Sequence, residues 1–218
     1  MDLNIYNSKV IKPWGYEYLA YQNEEVGLWI LHIAPNHSTS MHCHTKKTTG
    51  LIVLDGKIQI SFIGDNTALS KLDKRMIRRG LFHSSKSISE NETILLEIET
   101  PNHKSDLVRL TDNYGRKLAP YEKEFEKPQK DFLYIKESIN KYEYGGCIIE
   151  LFTFENAKDF INLNPNTLLV FLRGGILTNQ NDKVVVPGDV GYVDIVKQVY
   201  KNIPNFSSDT LFLAIYSK

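Results

Sequence analysis

The stretch "MHCHTKKTTGLIVLDG" (residues 41–56) joins two histidines to an apolar run and a tight turn. Side chains at positions i and i+2 of a β-strand point to the same face, so His42 and His44 are expected to project side by side. Two imidazoles on one face of a strand are suitable ligands for a divalent transition metal. His83 follows a turn at Gly80 and is expected to bring a third ring nitrogen close to this pair.

The histidine pair also has a simpler interpretation, because Lys46 and Lys47 lie next to it. Histidines beside lysines on a strand are often solvated surface residues. The choice between a metal site and a solvated strand depends on the pattern in the rest of the chain.

Short runs rich in Val, Ile, Leu, Thr and aromatic residues, separated by Gly, Pro, Asn or Asp, dominate the chain. Many short strands with closely spaced turns indicate a β-sandwich or a small barrel. The "LDG" at 54–56 is interpreted as a hairpin turn. No segment keeps a 3.6-residue apolar period with caps, so we expect less than about a tenth of the residues in helix. The runs lie at 27–34, 49–64, 93–100, 105–111, 132–135, 146–154, 167–177, 183–196 and 210–217.

The composition excludes several classes of protein. The 218 residues carry no net charge, so no basic field would attract nucleic acid or an anionic membrane. No run approaches the roughly 18 apolar residues of a membrane helix, and "MDLNIYNSKV" at the start lacks the pattern of a secretory signal. Two cysteines are too few for a disulfide framework. We expect a cytoplasmic protein without nucleic-acid or membrane partners.

The two halves of the chain share an order of features that indicates an internal duplication. "LIVLDGKI" in the first half is similar to "LVFLRGGI" in the second, and "MIRRGLFH" is similar to "VVVPGDVGY". Between them, "KLAPYEKEFEKPQKD" is charged, contains two prolines and has weak β character. We therefore predict a first lobe at 1–118, a linker at 119–131 and a second lobe at 132–218.

The first half resembles the cupin superfamily, whose small β-barrel carries two motifs. The first motif is Gly, five residues, His-x-His, three or four residues, Glu, six residues, Gly. The second is Gly, five residues, Pro-x-Gly, two residues, His. Here His42, His44 and Gly56 match positions of the first motif, and Gly80 and His83 match positions of the second.

Three further segments are similar to the mannose-6-phosphate isomerase-like group of cupins, which is the type II phosphomannose isomerase C-terminal group. They are "KPWGYE" (12–17), "LLEIETP" (95–101) and "DLVRLTDNYGR" (106–116). This resemblance covers residues 12 to 116 and implies an all-β fold of two double-stranded β-helix (jelly-roll) barrels in tandem, the second one degenerate.

The departures from the motifs bear on function. Thr49 occupies the glutamate position of the first motif, and in the second no proline stands just before Gly80, which Arg79 directly adjoins. The resemblance then implies a three-histidine metal site without its usual carboxylate. Zinc is the favoured metal, with Mn, Fe and Ni as alternatives and weak or absent binding as a further one. A Thr49→Glu variant is expected to bind metal more tightly.

The second half keeps no set of metal ligands at the corresponding positions. These positions hold Phe160, Asn162, Thr167 and Tyr192. We expect Phe160 and Tyr192 to fill the interior of the second barrel, and we expect the two lobes to pack tightly against each other.

The first functional hypothesis, implied by the resemblance, is an isomerase or epimerase that acts on a sugar phosphate or nucleotide sugar in surface-polysaccharide metabolism. Proton transfer between adjacent carbons needs a metal to polarise oxygens and a base to move the proton. Glu97 and Glu99 have the same parity on one strand, so both point inward or both point outward. The implied roles are metal ligation by His42, His44 and His83, catalysis by Glu97, Glu99 or Arg116, and phosphate binding by Arg79 or Arg116.

Two other hypotheses remain open. Loss of the motif glutamate and of every ligand in the second half also fits a non-catalytic sugar-binding or sensory protein with two cupin lobes. A three-histidine iron dioxygenase is a third alternative. A homodimer formed through β-sheet edges or faces is expected in each case.

Overall fold

Two antiparallel β-sheets form the first lobe of the protein. The computed structural model describes residues 4–116, 121–122 and 124–218, and it is nearly all β, with 47% strand and 8% helix. The prediction of an all-β fold with little helix is confirmed. The strands of this lobe are β1 (Lys9–Lys12), β2 (Gly15–Gln22), β3 (Gly27–Ile33), β4 (Met41–Cys43), β5 (Thr48–Asp55), β6 (Lys57–Phe62), β7 (Asp65–Ser70), β8 (Lys74–Ile77), β9 (His83–Ser87), β10 (Thr93–Thr100), β11 (Val108–Thr111) and β12 (Phe125–Glu126).

The larger sheet has the order β12-β1-β2-β3-β10-β5-β8, and the smaller has the order β11-β4-β9-β6-β7. The "LDG" at 54–56 is not a hairpin turn, because β5 pairs with β8 and β10 whereas β6 pairs with β7 and β9. The chain turns at Gly56, with φ +81°, and passes there from one sheet to the other.

The strict alternation of strand side chains gives the larger sheet two buried faces. On β10, Leu95 belongs to the core between the two sheets of the first lobe, whereas Leu96 and Ile98 belong to a second core on the other face. Glu97 and Glu99 have the parity of Leu95 and therefore point into the first lobe. Because both faces are covered, the strands are apolar almost throughout, and all seven residues of β3 are buried.

The second lobe is built on a five-stranded sheet of order β13-β14-β19-β15-β18, with a two-stranded sheet of β16 and β17 beside it. A 3₁₀ helix lies at Ala157–Asn162. The remaining elements are β13 (Lys141–Tyr144), β14 (Cys147–Thr153), β15 (Leu168–Arg173), β16 (Ile176–Leu177), β17 (Lys183–Val185), β18 (Val190–Tyr192), α1 (Val193–Asn202) and β19 (Leu211–Ser217).

Helix α1 was not expected from the sequence, since the run 183–196 has strand character throughout. The strand ends at Tyr192, and from there the buried apolar residues Val193 and Val196 recur at helical spacing. Both belong to the core of the second lobe, which the helix covers on one side. No helix in the described part of the chain is long and apolar enough to span a membrane.

The lobes share one apolar core. The outer face of the larger sheet of the first lobe packs against a face of the five-stranded sheet, so that Leu28, Ile52 and Ile98 lie in one cluster with Leu168 and Leu213. The predicted linker contributes strand β12, which pairs with β1, and residues 117–120 and 123 lie outside the described residues. The lobe boundaries at 118 and 132 stay predictions.

Candidate metal centre and charged pocket

Three histidines converge inside the first lobe. His42 lies on β4, His44 follows that strand, and His83 begins β9, where it is paired directly with His42. One ring nitrogen from each lies within 4.8 Å of the others, and His44 and His83 are almost completely buried. The expected convergence of the three side chains is therefore confirmed.

The hydrogen bonds of the three rings define their tautomers. In each ring Nδ1 lies at a backbone carbonyl oxygen, which can only accept, so Nδ1 carries the proton and Nε2 keeps its lone pair. The Nε2 of His44 is buried and has no hydrogen-bond partner among the described residues. The accepting carbonyls are those of Ser40 for His42 at 2.8 Å, of Leu81 for His83 at 3.0 Å and of Asp106 for His44.

Burial keeps the three imidazoles neutral. It lowers the pKa of His44 to about 3, and the nearby Lys47 ammonium adds to the effect. Burial, assisted by the other two rings, places the pKa of His42 well below 6.5, and burial also lowers the pKa of His83. Neutral imidazoles with free Nε2 atoms and Nδ1 atoms tied to carbonyls are what a transition-metal site requires. The residues present therefore fit a metal ion.

Asp106 holds the loop that carries His44. Its carboxylate accepts hydrogen bonds from the backbone N–H groups of Thr45, Lys46 and Lys47 at 3.0, 2.6 and 3.1 Å, and from the Thr45 hydroxyl at 2.9 Å. Burial would raise the pKa of Asp106, but these donors lower it to about 2. Sequence reasoning did not assign Asp106 this role, although it opens the segment "DLVRLTDNYGR".

Thr49 lies inside the barrel, where the glutamate of the motif was expected. Its side chain is fully buried, and its hydroxyl oxygen has no hydrogen-bond partner among the described residues. Glu99 lies directly opposite it on β10. A carboxylate is therefore present in this region, but it comes from the neighbouring strand.

Glu97 and Glu99 line the same pocket as His42 and His44. The Lys104 ammonium bridges them, at 3.0 Å from an oxygen of each, and it also lies 3.2 Å from Glu17. Lys47 lies 2.7 Å from Glu99, and both of these side chains are buried. Buried charges are tolerated when each has an oppositely charged partner. The floor of the pocket meets this condition because its ammonium groups lie between its carboxylates.

Glu97 is ionised at neutral pH. Burial alone would raise the pKa of Glu97, but the Lys104 and Lys47 ammonium groups outweigh it and hold that pKa well below its usual range. Burial would conversely lower the pKa of Lys104, and Glu17 and Glu97 raise it well above its usual value. The Glu97 carboxylate and the Lys104 ammonium thus stay charged together.

The pocket has a volume of about 60 Å³. Arg116 lines it, as does Tyr121 from the predicted linker, whose hydroxyl donates to the Glu17 carboxylate. Arg79 does not line it. That side chain is exposed on the turn before Gly80, and the turn is tied to the loop of His44 by a hydrogen bond from the Gly80 N–H to the His44 carbonyl at 2.7 Å.

The four residues of the second lobe that correspond in sequence to the motif positions lie in different environments. Phe160 is fully buried in the core of this lobe, as expected, and Thr167 is buried too. Asn162 is exposed. Tyr192 does not fill the interior of the lobe, because it packs against the core shared with the first lobe and its hydroxyl donates to the Leu72 carbonyl at 3.2 Å. It is the last residue of β18, an edge strand, and its side chain contacts the first lobe.

Of the comparisons with known proteins, only the one with solved structures gave matches. No protein-family model matches it, and no curated protein matches it. Several of the similar solved structures are double-stranded β-helix or cupin proteins. The likenesses described below each span less than half of this chain and are at low identity.

Three of these structures have the following similarity. The capsular polysaccharide assembling protein CapF from Staphylococcus aureus has a TM-score of 0.43 and 16% identity over 48% of this chain and 32% of its own. KdgF from Halomonas sp. has a TM-score of 0.41 and 12% identity over 43% of this chain and 86% of its own. A sugar phosphate isomerase from Silicibacter pomeroyi has a TM-score of 0.33 and 14% identity over 35% of this chain and 50% of its own.

Proposed function

We propose that the first lobe binds a divalent metal ion through His42, His44 and His83 and acts on a sugar phosphate or nucleotide sugar as an isomerase or epimerase. One observation carries this proposal. Each ring has its Nδ1 proton fixed by a backbone carbonyl, and each has a ring nitrogen within 4.8 Å of the others. Surface histidines have no need of this arrangement, whereas metal ligands depend on it.

Imidazole nitrogens suit Zn, Fe and Ni, and zinc remains the first choice for three histidines with an open position. Bound there, a divalent ion would polarise the carbonyl and hydroxyl oxygens of a sugar. The sugar class rests on the resemblance of residues 12–116 to the mannose-6-phosphate isomerase-like group and on the many hydrogen-bonding groups that line the pocket.

Glu97 is the proposed proton acceptor. It lines the pocket beside His42 and His44, and its ionised form can take a proton from a carbon next to a polarised carbonyl. Lys104 holds the Glu97 carboxylate in place at 3.0 Å. Glu99 is buried more deeply, with Lys47 and Lys104 both on one of its oxygens, and its proposed role is to hold these lysines in position.

A non-catalytic sugar-binding protein is the second candidate, and a specific observation favours it. The pKa of Glu97 is held far below neutrality, and a general base is most effective when its pKa is close to the working pH. A pocket of about 60 Å³ also limits how much of a sugar can enter without movement of the side chains at its mouth.

Elemental analysis of the full chain, purified without added metal, tests the metal centre. We expect close to one equivalent of a divalent metal per chain, and we expect His44→Ala to lose it. His37→Ala is the matched control, since His37 is exposed and should leave the metal content unchanged. Equal metal content in wild type and His44→Ala would contradict the proposal. Iron as the bound metal would favour the dioxygenase alternative.

Proton exchange separates catalysis from binding. Sugar phosphates incubated with the wild type in heavy water should exchange a carbon-bound proton, which nuclear magnetic resonance detects, and Glu97→Gln should lose the exchange while keeping its metal. Binding of the same sugars by the wild type without any exchange would favour the non-catalytic candidate. The homodimer stays a prediction, which light scattering of the purified protein would test.

A further inference from the structure

Three cations from the first lobe meet on a single carboxylate at the mouth of the pocket. Lys12, Arg109 and Arg116 donate to Glu122 at 2.6, 3.0 and 2.5 Å, respectively. The side chains of Lys12 and Arg109 are only 4% exposed, and those of Arg116 and Glu122 are 12% and 13% exposed. We call Lys12, Arg109 and Arg116 the anion subsite.

The carboxylate and the cations come from different kinds of structure. Lys12 lies on β1 and Arg109 on β11, which are strands of the barrel, whereas Glu122 lies in the segment between the lobes. That segment is anchored without Glu122, because Tyr121 donates to Glu17 on one side and β12 pairs with β1 on the other. The Glu122 side chain can therefore turn outward while the segment remains in place.

Two of the three cations are also anchored without Glu122. Lys12 lies 3.4 Å from the Glu17 carboxylate, and Arg116 lies 2.6 Å from Asp112. Guanidinium and ammonium groups held in this way form a preorganised receptor for a carboxylate or phosphate. If Glu122 turned away, the subsite would lack one negative charge that another oxyanion could supply.

The anion subsite lies between two spaces. Lys12, Arg116 and Glu122 line the pocket of the histidines, and the same three residues line an outer depression of about 360 Å³. Arg109 lies directly opposite His42 in the pair of β11 and β4, which places their Cβ atoms about 5 Å apart. An oxyanion in the subsite would thus lie next to the histidine cluster, and its path from the outer depression passes Glu122.

We infer that the anion subsite binds the phosphate or carboxylate group of the ligand, and that Glu122 is a built-in substitute which this group displaces. The inference rests on the proposed function in one respect, namely that the ligand body reaches the histidine cluster. It assigns two things beyond that function: the side chains that select an anionic ligand, and an internal carboxylate that competes with the ligand.

Calorimetric titration with inorganic phosphate at constant ionic strength tests this inference on the full chain. Glu122→Gln keeps the shape of the side chain and removes its charge, and Glu122→Ala removes the group altogether. Both are expected to bind phosphate at least about tenfold more tightly than wild type, because a competing charge has gone. Glu126→Gln is the matched control, since Glu126 lies in the same segment but pairs with Lys9, and it should titrate like wild type.

A double variant tests whether the cations of the anion subsite cause the increase in phosphate affinity. Adding Arg109→Gln to Glu122→Gln removes one cation and leaves two neutral, hydrogen-bonding side chains, and the tenfold gain should disappear. Acetate titrated against the same proteins distinguishes a carboxylate ligand from a phosphate ligand, because the subsite should favour one of them. If Glu122→Gln or Glu122→Ala folds, as judged by circular dichroism, and binds both anions within about twofold of wild type, the inference is wrong.

The test of the anion subsite can fail or succeed independently of the test of the metal centre. Glu122→Gln combined with His44→Ala should keep the gain in phosphate affinity, since no histidine belongs to the anion subsite. Loss of metal in His44→Ala with no anion effect in Glu122→Gln would overturn the subsite alone. A retained anion effect without any metal in the wild type would instead overturn the metal centre alone.

Discussion

Glu99 lies directly opposite Thr49 in the antiparallel pair of β10 and β5. Both side chains are fully buried, and Glu99 Oε2 and Thr49 Oγ1 have no hydrogen-bond partner among the described residues. Directly opposed residues have Cβ atoms about 5 Å apart. The carboxylate that the motif would place at position 49 is thus replaced by one that reaches the same region from the next strand.

Thr49→Glu is therefore expected to act in two ways. Alone, it places a second carboxylate beside Glu99, and the repulsion of two buried like charges should lower the free energy of unfolding by about 1–3 kcal/mol. Combined with Glu99→Gln, it should bind zinc more tightly than wild type, because an anionic oxygen joins three neutral imidazoles. Urea unfolding and competition with a chelator measure the two effects. Weaker zinc binding by the folded double variant would contradict this reasoning.

Lys104→Met should be strongly destabilising. It removes the ammonium that lies within 3.2 Å of Glu17, Glu97 and Glu99 and leaves buried carboxylates without it, at a cost of about 3–5 kcal/mol. The deficit should shrink in acid, where the carboxylates take up protons. Lys218→Met is the control, because the Lys218–Glu143 pair is shorter, at 2.6 Å, but exposed. It should leave the free energy of unfolding nearly unchanged.

Metal-free protein should lose stability as the pH falls below 6.5. Burial lowers the pKa of His44 from 6.5 to about 3, so the unfolded chain takes up this proton at a higher pH than the folded chain. Between these two values the group reduces the free energy of unfolding by roughly 1.4 kcal/mol per pH unit. Urea unfolding at several pH values in the presence of a chelator gives the free energy of unfolding as a function of pH. Its slope should be shallower by this amount for His44→Gln than for the wild type. Identical slopes for the two proteins would mean that His44 is not buried as a neutral ring.

Phe160→Ala and Tyr192→Ala should differ in cost. Phe160 is fully buried, with edge contacts to the rings of Tyr200, Phe206 and Phe212, so its truncation should cost about 3–5 kcal/mol. Tyr192 is half-buried at the junction of the lobes, and its loss should cost about 1–3 kcal/mol. Thermal or urea unfolding measures both. The metal content of the first lobe should be unchanged in both variants, and loss of metal would show that the lobes are coupled at the site.

The histidine cluster could be predicted because its determinants are local. His42 lies on a strand and His44 follows it two residues later, and a strand has a period of two. The same period places Glu97 and Glu99 together, although only the structure shows that they face inward. Arg79 is next to the turn in sequence, yet its side chain is exposed, since adjacency does not determine orientation in a turn.

The ion network could not be predicted, because a lysine in a sequence usually indicates solvent. Lys47 was evidence for a solvated strand, yet it is 1% exposed. Its partner Glu99 is 52 residues away in sequence, and Lys12 is 110 residues from Glu122. Helix α1 was missed for a related reason. Valine favours strands, and only the packing of Val193 and Val196 in the core of the second lobe makes this segment helical.

The core shared by the lobes determines how the protein can be divided. A chain cut at residue 131 would leave the outer face of the larger sheet uncovered, with Leu28, Ile30, Ile52 and Ile98 exposed to water. A broad apolar sheet face of this kind promotes self-association. The second lobe covers this face and so keeps the first lobe from associating with itself through it.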